Sequence, residues 1–568
     1  MGKITLEKAQ LVAGTLKPQQ NSTDEKLLLI SLEQTKDIAH WSLSIDDPSV
    51  QRLEYEDPEH PGALKTKWVT SDDAAFIVLA PLNHRRPAAC HPSPGRSSDV
   101  GRRRGNYNQQ SSGAHRATRN RDEMNRRLLI FIVFTLAAAW HAAGQAQLLT
   151  LLTNGPTSRR LNIVFFSEGY TTNDLSHFPA DAQVMLNRIL SSSPMDKYSN
   201  YFNAFAIAVP SNQSGSDHYT PTTVLVDTYF NSRFDSSGVQ RLVTIDGVGQ
   251  SRANALLAQF VPEYDLVAIV VNDTQYGGSG GSFLISSINS ASPEIATHEM
   301  GHTFAGLGDE YSYAGSTPSE KPNATTQTNL ASIKWRSWIP VGTPIPTPDD
   351  PPYYNVVGLF RGAVYSENYF RPKHDCKMRS LGVPFCEICS ETLIKSIYNK
   401  VGMIEGYSPA NNITALVTNA IARTFSVTNL VPNTHSLSVQ WFTNNVAVPG
   451  ATSAVFQVSG FTLLPNVLNP VRVDVKDPTS LVLSAPTNMM KSSLTWQTYF
   501  TLEEPRLSIS AAPNAINLAW PPSATGFFLE QTADLFPPGT WTPFLLISNQ
   551  SGLTVVQTNS PRFYRLRR

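Results

Sequence analysis

Hydrophobic positions follow different rhythms along this chain, and the rhythm changes near residues 147 and 405. Between those points Ile163-Val-Phe-Phe166 and Leu266-Val-Ala-Ile-Val-Val271 are continuous apolar runs, the pattern of strands buried on both faces. Ala182, Met185 and Ile189 recur at helical spacing between them, so this stretch predicts an α/β layer with a backing helix. Beyond residue 405 apolar and polar residues alternate in Ala422–Thr428, Leu437–Trp441 and Val471–Val475, with Asn444-Asn445 and Pro449-Gly450 as turn signals. That pattern predicts a β-sandwich of the immunoglobulin type over 406–503. From Pro505 shorter runs follow, Leu507–Ser510, Ile516–Trp520, Gly526–Glu530 and Phe563–Arg567, and predict a small β domain over 504–568.

The N-terminal part reads differently. Lys26–Ser31 and Ala74–Leu79 could make a few strands, whereas residues 81–123 set many arginines among Pro, Gly, Ser and Asn without periodicity. Such a stretch buries too little apolar surface to order itself and reads as a solvated tail. Met124–Ala146 then has Arg126 and Arg127, an apolar run from Leu128 and small residues to Ala146, the grammar of a secretory signal. Its apolar run is shorter than the ~20 residues of a membrane span. The expectation is a signal peptide at 124–146, residues 1–123 as a misassigned or disordered extension, and an exported chain beginning near Gln147. A secreted or cell-surface location with no stable membrane span follows; an internal anchor or a buried helix is the other reading.

Composition narrows the partners. Forty-five basic residues balance forty-five acidic ones, which removes any bulk-charge argument for nucleic acid or an anionic membrane. Charged residues are only 16%, beside 40 Pro and 33 Gly, a mixture suited to a loop-rich, β-rich secreted chain.

Candidate chemistry concentrates in His298-Glu-Met-Gly-His302. On a helix, residues four apart share a face, so two imidazoles can grip one Zn²⁺ while Glu299 reaches its water. Ser292 as cap, Pro293 at the first helical position, Glu294 in the first turn, and Gly306 and Gly308 at the end all predict that helix. Taken alone the motif also fits an ordinary amphipathic helix.

Together with Gly306-Leu-Gly-Asp-Glu-Tyr311, this motif resembles the bacterial IgA-metallopeptidase family, a metzincin-like group of secreted zinc endopeptidases. Asn162–Tyr170, Phe202–Phe205, Ser211–Asp217, Val271–Gly278, Lys334-Trp335, Val357–Ala363, Cys376–Arg379 and Phe385–Cys389 extend the resemblance over roughly 153–400. Glu168 stands where Asp is usual, and Arg361 where Glu is expected. The resemblance implies a multidomain protein, with an α/β (α+β) metzincin-like zinc peptidase domain over 147–405 and two β-sandwich-type domains after it. It implies one catalytic Zn²⁺, His298 and His302 as ligands, Glu299 as general base and acid, and a protein or peptide substrate. Asp309, three residues after Gly306, is the expected third ligand, with Glu310 as its rival. Met378 is expected on a turn beneath the metal. The chain is expected to be monomeric, and the competing class is a non-catalytic adhesion protein on a peptidase scaffold.

Cys376, Cys386 and Cys389 cluster in sequence. Export favours one disulfide among them, with the pairing open. The sharper alternative is a second zinc held by the three cysteines with His374.

Overall fold

The computed structural model describes residues 146–567 apart from 314–317, 419–421, 485–488, 502–504, 522–523, 525, 536–538, 549, 557 and 559, together with five strand backbones nearer the N-terminus. Those five are β1 (Leu27–Leu32), β2 (Trp41–Asp46), β3 (Val50–Glu56), β4 (Leu64–Thr70) and β5 (Cys90–Pro94). Strand β1 pairs antiparallel with β2 and with β5, so a strand stands inside the stretch expected to be a solvated tail. The predicted signal peptide and Ala74–Leu79 lie outside the described residues, Ala146 excepted.

The central unit is built on a six-stranded mixed sheet. Its strands are β6 (Gln147–Leu152), β7 (Leu161–Glu168), β8 (Phe202–Ala208), β9 (Leu266–Val271), β10 (Gly278–Ser279) and β11 (Leu284–Ser287), in the order β10-β11-β9-β7-β8-β6. Strands β7, β8, β9 and β11 run parallel, and the antiparallel β10 and β6 close the two sides. The period of two decides which face each residue serves. Leu161, Ile163, Phe165, Leu266, Ala268 and Val270 point into one core. Val164, Phe166, Val267, Ile269 and Val271 point into the other. Both predicted apolar runs are therefore strands covered on two sides.

Helices α1 (Phe178–Ser191), α3 (Pro293–Ala305) and α4 (Glu387–Lys400) pack on the first face, and α2 (Gly247–Phe260) on the second. Ala182, Met185 and Ile189 are indeed the buried stripe of α1. Helix α3 lays Ala296, Met300 and Phe304 into the core, a four-residue rhythm that turns the intervening positions elsewhere. A hairpin of β12 (Phe360–Ala363) and β13 (Ser366–Arg371) follows the long loop after α3.

The next unit has two sheets. One joins β14 (Ile404–Ser408), β16 (Arg423–Asn429) and β19 (Val455–Val458). The other joins β15 (Ala415–Thr418), β17 (Ser438–Thr443), β18 (Val446–Ala447), β20 (Leu468–Lys476) and β21 (Lys491–Thr501). Phe425 and Val427 of the first sheet share a core with Trp441, Val473 and Trp496 of the second, which makes a sandwich. Asn444 and Asn445, both at positive φ, close the β17–β18 hairpin where the sequence signalled a turn. A final unit sets β22 (Ser508–Ala512), β23 (Ala515–Ala519) and β26 (Gly552–Val556) against β24 (Phe528–Thr532), β25 (Thr542–Leu546) and β27 (Phe563–Arg567), around Leu518, Trp520 and Leu529.

The sandwich is tied to the central unit by polar contacts. Buried Asp477 accepts hydrogen bonds from Tyr198 Oη at 2.8 Å and Tyr398 Oη at 2.6 Å, and pairs with His435 Nε2 at 2.7 Å. Glu391 of α4 accepts from the amides of Leu483 and Ser484.

Candidate metal centre

Pro293 opens α3 at its first turn, Glu294 follows, and Gly306 ends the helix at φ 63°. Ser292 departs from expectation: its backbone is helical and its side chain caps nothing in α3. Instead its hydroxyl receives the Gly277 amide at 3.3 Å and meets Ser287 Oγ at 2.8 Å, anchoring the helix start to the sheet. Gly308 does not end the helix either. A Cβ there would strike Val364 and Lys321, so this glycine permits close packing. Glu294 pairs with Lys377 at 2.5 Å and with Arg188.

Because Gly306 reverses the chain, Asp309 returns to the face of α3 that carries the histidines. His298 Nε2 and His302 Nε2 lie 2.9 Å apart, and Asp309 Oδ1 lies 3.5 Å from the first and 3.3 Å from the second. Tetrahedral bonds of ~2.0–2.1 Å would space such donors at about 3.3 Å, so the triangle fits a zinc-sized ion. Each imidazole is oriented through its other nitrogen. His298 Nδ1 meets the Lys377 carbonyl at 2.7 Å, and His302 Nδ1 meets the Leu307 carbonyl at 2.6 Å. These carbonyls fix Nδ1 as the protonated nitrogen and leave Nε2 as the donor. His298 and Asp309 are buried, while 12% of the His302 side chain reaches solvent.

Glu299 is buried on the same helix. A Cβ on Gly280 would overlap Glu299 Oε2, so the Gly277–Gly281 stretch runs directly against this carboxylate. Met378 is also buried, and a Cβ on Gly301 would fall 2.6 Å from its sulfur. It packs beneath the histidine helix on the turn that Arg379 N closes onto the Cys376 carbonyl at 2.8 Å. Tyr365 was not anticipated. Its hydroxyl donates to Asp309 Oδ2, leaving Oδ1 toward the histidines. Val364 and Tyr365 take φ of 42° and 67°, a backbone that side-chain-bearing residues rarely adopt, and the Val364 amide donates to the Asp309 carbonyl at 2.8 Å.

Glu310 points the other way. It is fully buried, accepts from Asn323 Nδ2 at 2.9 Å and from Cys389 Sγ at 3.2 Å, and burial holds its carboxyl well above the usual range. The expected disulfide is absent: Cys376, Cys386 and Cys389 are all free and buried, converging on Glu310. His374 is not with them. It stacks on Tyr354 with ring centroids 3.6 Å apart and pairs with Asp349.

The two departures from the family pattern sit away from the histidines in contact terms. Glu168 is buried at the end of β7, where burial raises its carboxyl against the opposing effect of Thr228, Phe230 and Ser232, whose hydroxyl or amide groups donate to it at 2.6–2.8 Å. Arg361 is exposed and caps the Phe370 ring at 5.4 Å.

A helix-borne pair of histidines with a glutamate between them and a returning carboxylate is the equipment of a hydrolase, and comparison places it among peptidases. Residues 149–355 and 349–397 match the sequence model described as IgA Peptidase M64, so this stretch is similar to that family. No curated protein matches the chain. Among solved structures it is similar to the crystal structure of chicken CNTN1 FN1-FN3 domains at 13% identity, covering 29% of this chain and 57% of that one, with a TM-score of 0.13.

Proposed function

We propose that the protein is a secreted zinc metalloendopeptidase with a metzincin-like catalytic unit. The observation that carries this reading is the donor triangle of His298, His302 and Asp309 beside Glu299 on one helix. Zinc bound there would supply Lewis acidity and a water of lowered pKa. His298 and His302 offer Nε2, and the Lys377 and Leu307 carbonyls hold both rings in that orientation. Asp309 offers Oδ1 because Tyr365 occupies Oδ2. Glu299 takes a proton from the attacking water and returns it to the departing amine. The backbone at Gly280 keeps that carboxylate in place, since no side chain intervenes.

The adhesion reading does not account for these residues, because a scaffold has no use for a base beside an open donor triangle. The test is zinc content together with cleavage of a denatured protein. Activity abolished by a chelator and restored by zinc is expected, and metal-free protein with full activity would overturn the reading. Export rests on the signal grammar of Met124–Ala146 and on β6 starting at Gln147. N-terminal sequencing of secreted protein should return a start near Gln147, and any start within 1–123 would refute it.

A further inference from the structure

We infer that Glu310, Cys376, Cys386 and Cys389 hold a second zinc ion, in a closed structural site back to back with the histidine triangle. The four donor atoms lie within 4.8 Å of one another and all four residues are buried. Glu310 Oε1 is 3.2 Å from Cys389 Sγ and 4.0 Å from Cys386 Sγ. A tetrahedron with bonds of ~2.3 Å to sulfur and ~2.0–2.2 Å to oxygen has edges of about 3.5–3.8 Å, which these distances straddle.

The backbone around the sulfurs is arranged for thiolates. The Cys386 amide donates to Cys376 Sγ at 3.2 Å, and the amides of Met378 and Cys389 lie against Cys376 Sγ and Cys386 Sγ. Cys386 is the N-cap of α4 and Cys389 sits in its first turn, a Cys-x-x-Cys pair at the positive end of a helix. Glu310 supplies the second, independent indication. It is wholly buried, and its Oε2 has no hydrogen-bond partner among the described residues. A disulfide between two of the cysteines would leave that buried oxygen without a partner, whereas a divalent cation would satisfy it. A thiolate-rich, redox-inert tetrahedral set favours zinc over calcium or magnesium.

The site would act on its neighbour through the chain. Asp309 and Glu310 are consecutive, and the turn beginning at Cys376 carries both the Lys377 carbonyl that orients His298 and the Met378 side chain beneath it. Binding here would pin both segments without any contact with substrate.

The experiment is metal analysis of the full chain, with cobalt substitution of the same protein. Wild type should carry two zinc ions per chain, and His298→Ala one. The His298→Ala protein loaded with cobalt should keep the thiolate-to-cobalt charge-transfer absorption, and Cys389→Ser should lose it. Because Cys389→Ser could fail to fold, native wild type is also treated with an alkylating agent without reductant. All three cysteines should resist modification until the metal is chelated, and then all three should react. One zinc that disappears in His298→Ala, or a disulfide among the three in the purified protein, would overturn the proposal. One zinc that survives His298→Ala with the cobalt signature would uphold it while removing the zinc peptidase reading.

Discussion

Two donor clusters share one stretch of backbone in this protein and are built on opposite plans. His298, His302 and Asp309 offer nitrogen and oxygen, and His302 reaches solvent. Glu310, Cys376, Cys386 and Cys389 offer mainly sulfur and are sealed. Asp309 and Glu310 separate the two because consecutive side chains diverge once Gly306 has turned the chain out of the helix. On the proposed reading the contrast is that between catalytic and structural zinc sites, an open position against a closed shell.

Substitutions can break that comparison. Glu299→Gln should lower peptidase activity by ~10²–10⁴-fold, because the amide cannot accept the water's proton. Zinc content should not change; activity within a factor of about two of wild type would mean that Glu299 is not the base. Met378→Ala should destabilise the fold by about 2–5 kcal/mol, since the side chain is fully buried beneath Gly301. Denaturant unfolding of the metal-loaded protein measures it, and an unchanged midpoint would show that Met378 is no packing floor. Tyr365→Phe should weaken zinc affinity or activity by about 10–100-fold, the usual effect of losing an outer hydrogen bond to a ligand. The sulfur cluster should keep its cobalt spectrum in that variant, which separates a local loss at Asp309 from general unfolding.

The smallest effect concerns acid and lies outside both clusters. Burial raises the Glu391 carboxyl, but Lys395, Ser484, the Leu483 amide and Trp338 outweigh it, so its pKa is lowered on folding. A carboxylate with a depressed folded pKa gives stability that is full above the unfolded value of ~4.3 and is lost as pH falls through the folded value. Glu391→Gln should therefore flatten the loss of thermal stability below about pH 4.3, and an unaltered acid limb would refute this.

What was legible in the sequence was local. The histidine helix follows from four-residue spacing and from Pro293 and Gly306, and Asp309 lies close enough to Gly306 for its return to be foreseen. The strands of the central sheet were readable because Ile163–Phe166 of β7 and the whole of β9 are unbroken apolar runs facing the two cores. Tyr365 was not readable, since it meets Asp309 only through a β-hairpin 56 residues later. The sulfur cluster was half readable. Three cysteines close together suggested a disulfide first and a metal set with His374 second, whereas the side chain that joins them is Glu310, 66 residues before Cys376. Ser292 misled for a related reason: a tertiary partner took the hydroxyl that capping would have used.

Helix α4 bears on how the catalytic unit could be recombined with other modules. Cys386 caps it, its first turn carries Cys389, Glu391 holds the sandwich, and its last turn reaches Asp477 through Tyr398. A fragment cut at residue 405, where the hydrophobic rhythm changes, would strip Tyr198 and Tyr398 of their shared carboxylate and Glu391 of its amides. A working transplant should therefore keep the central unit with its sandwich, since dividing them at the apparent border would leave a helix anchored at one end only.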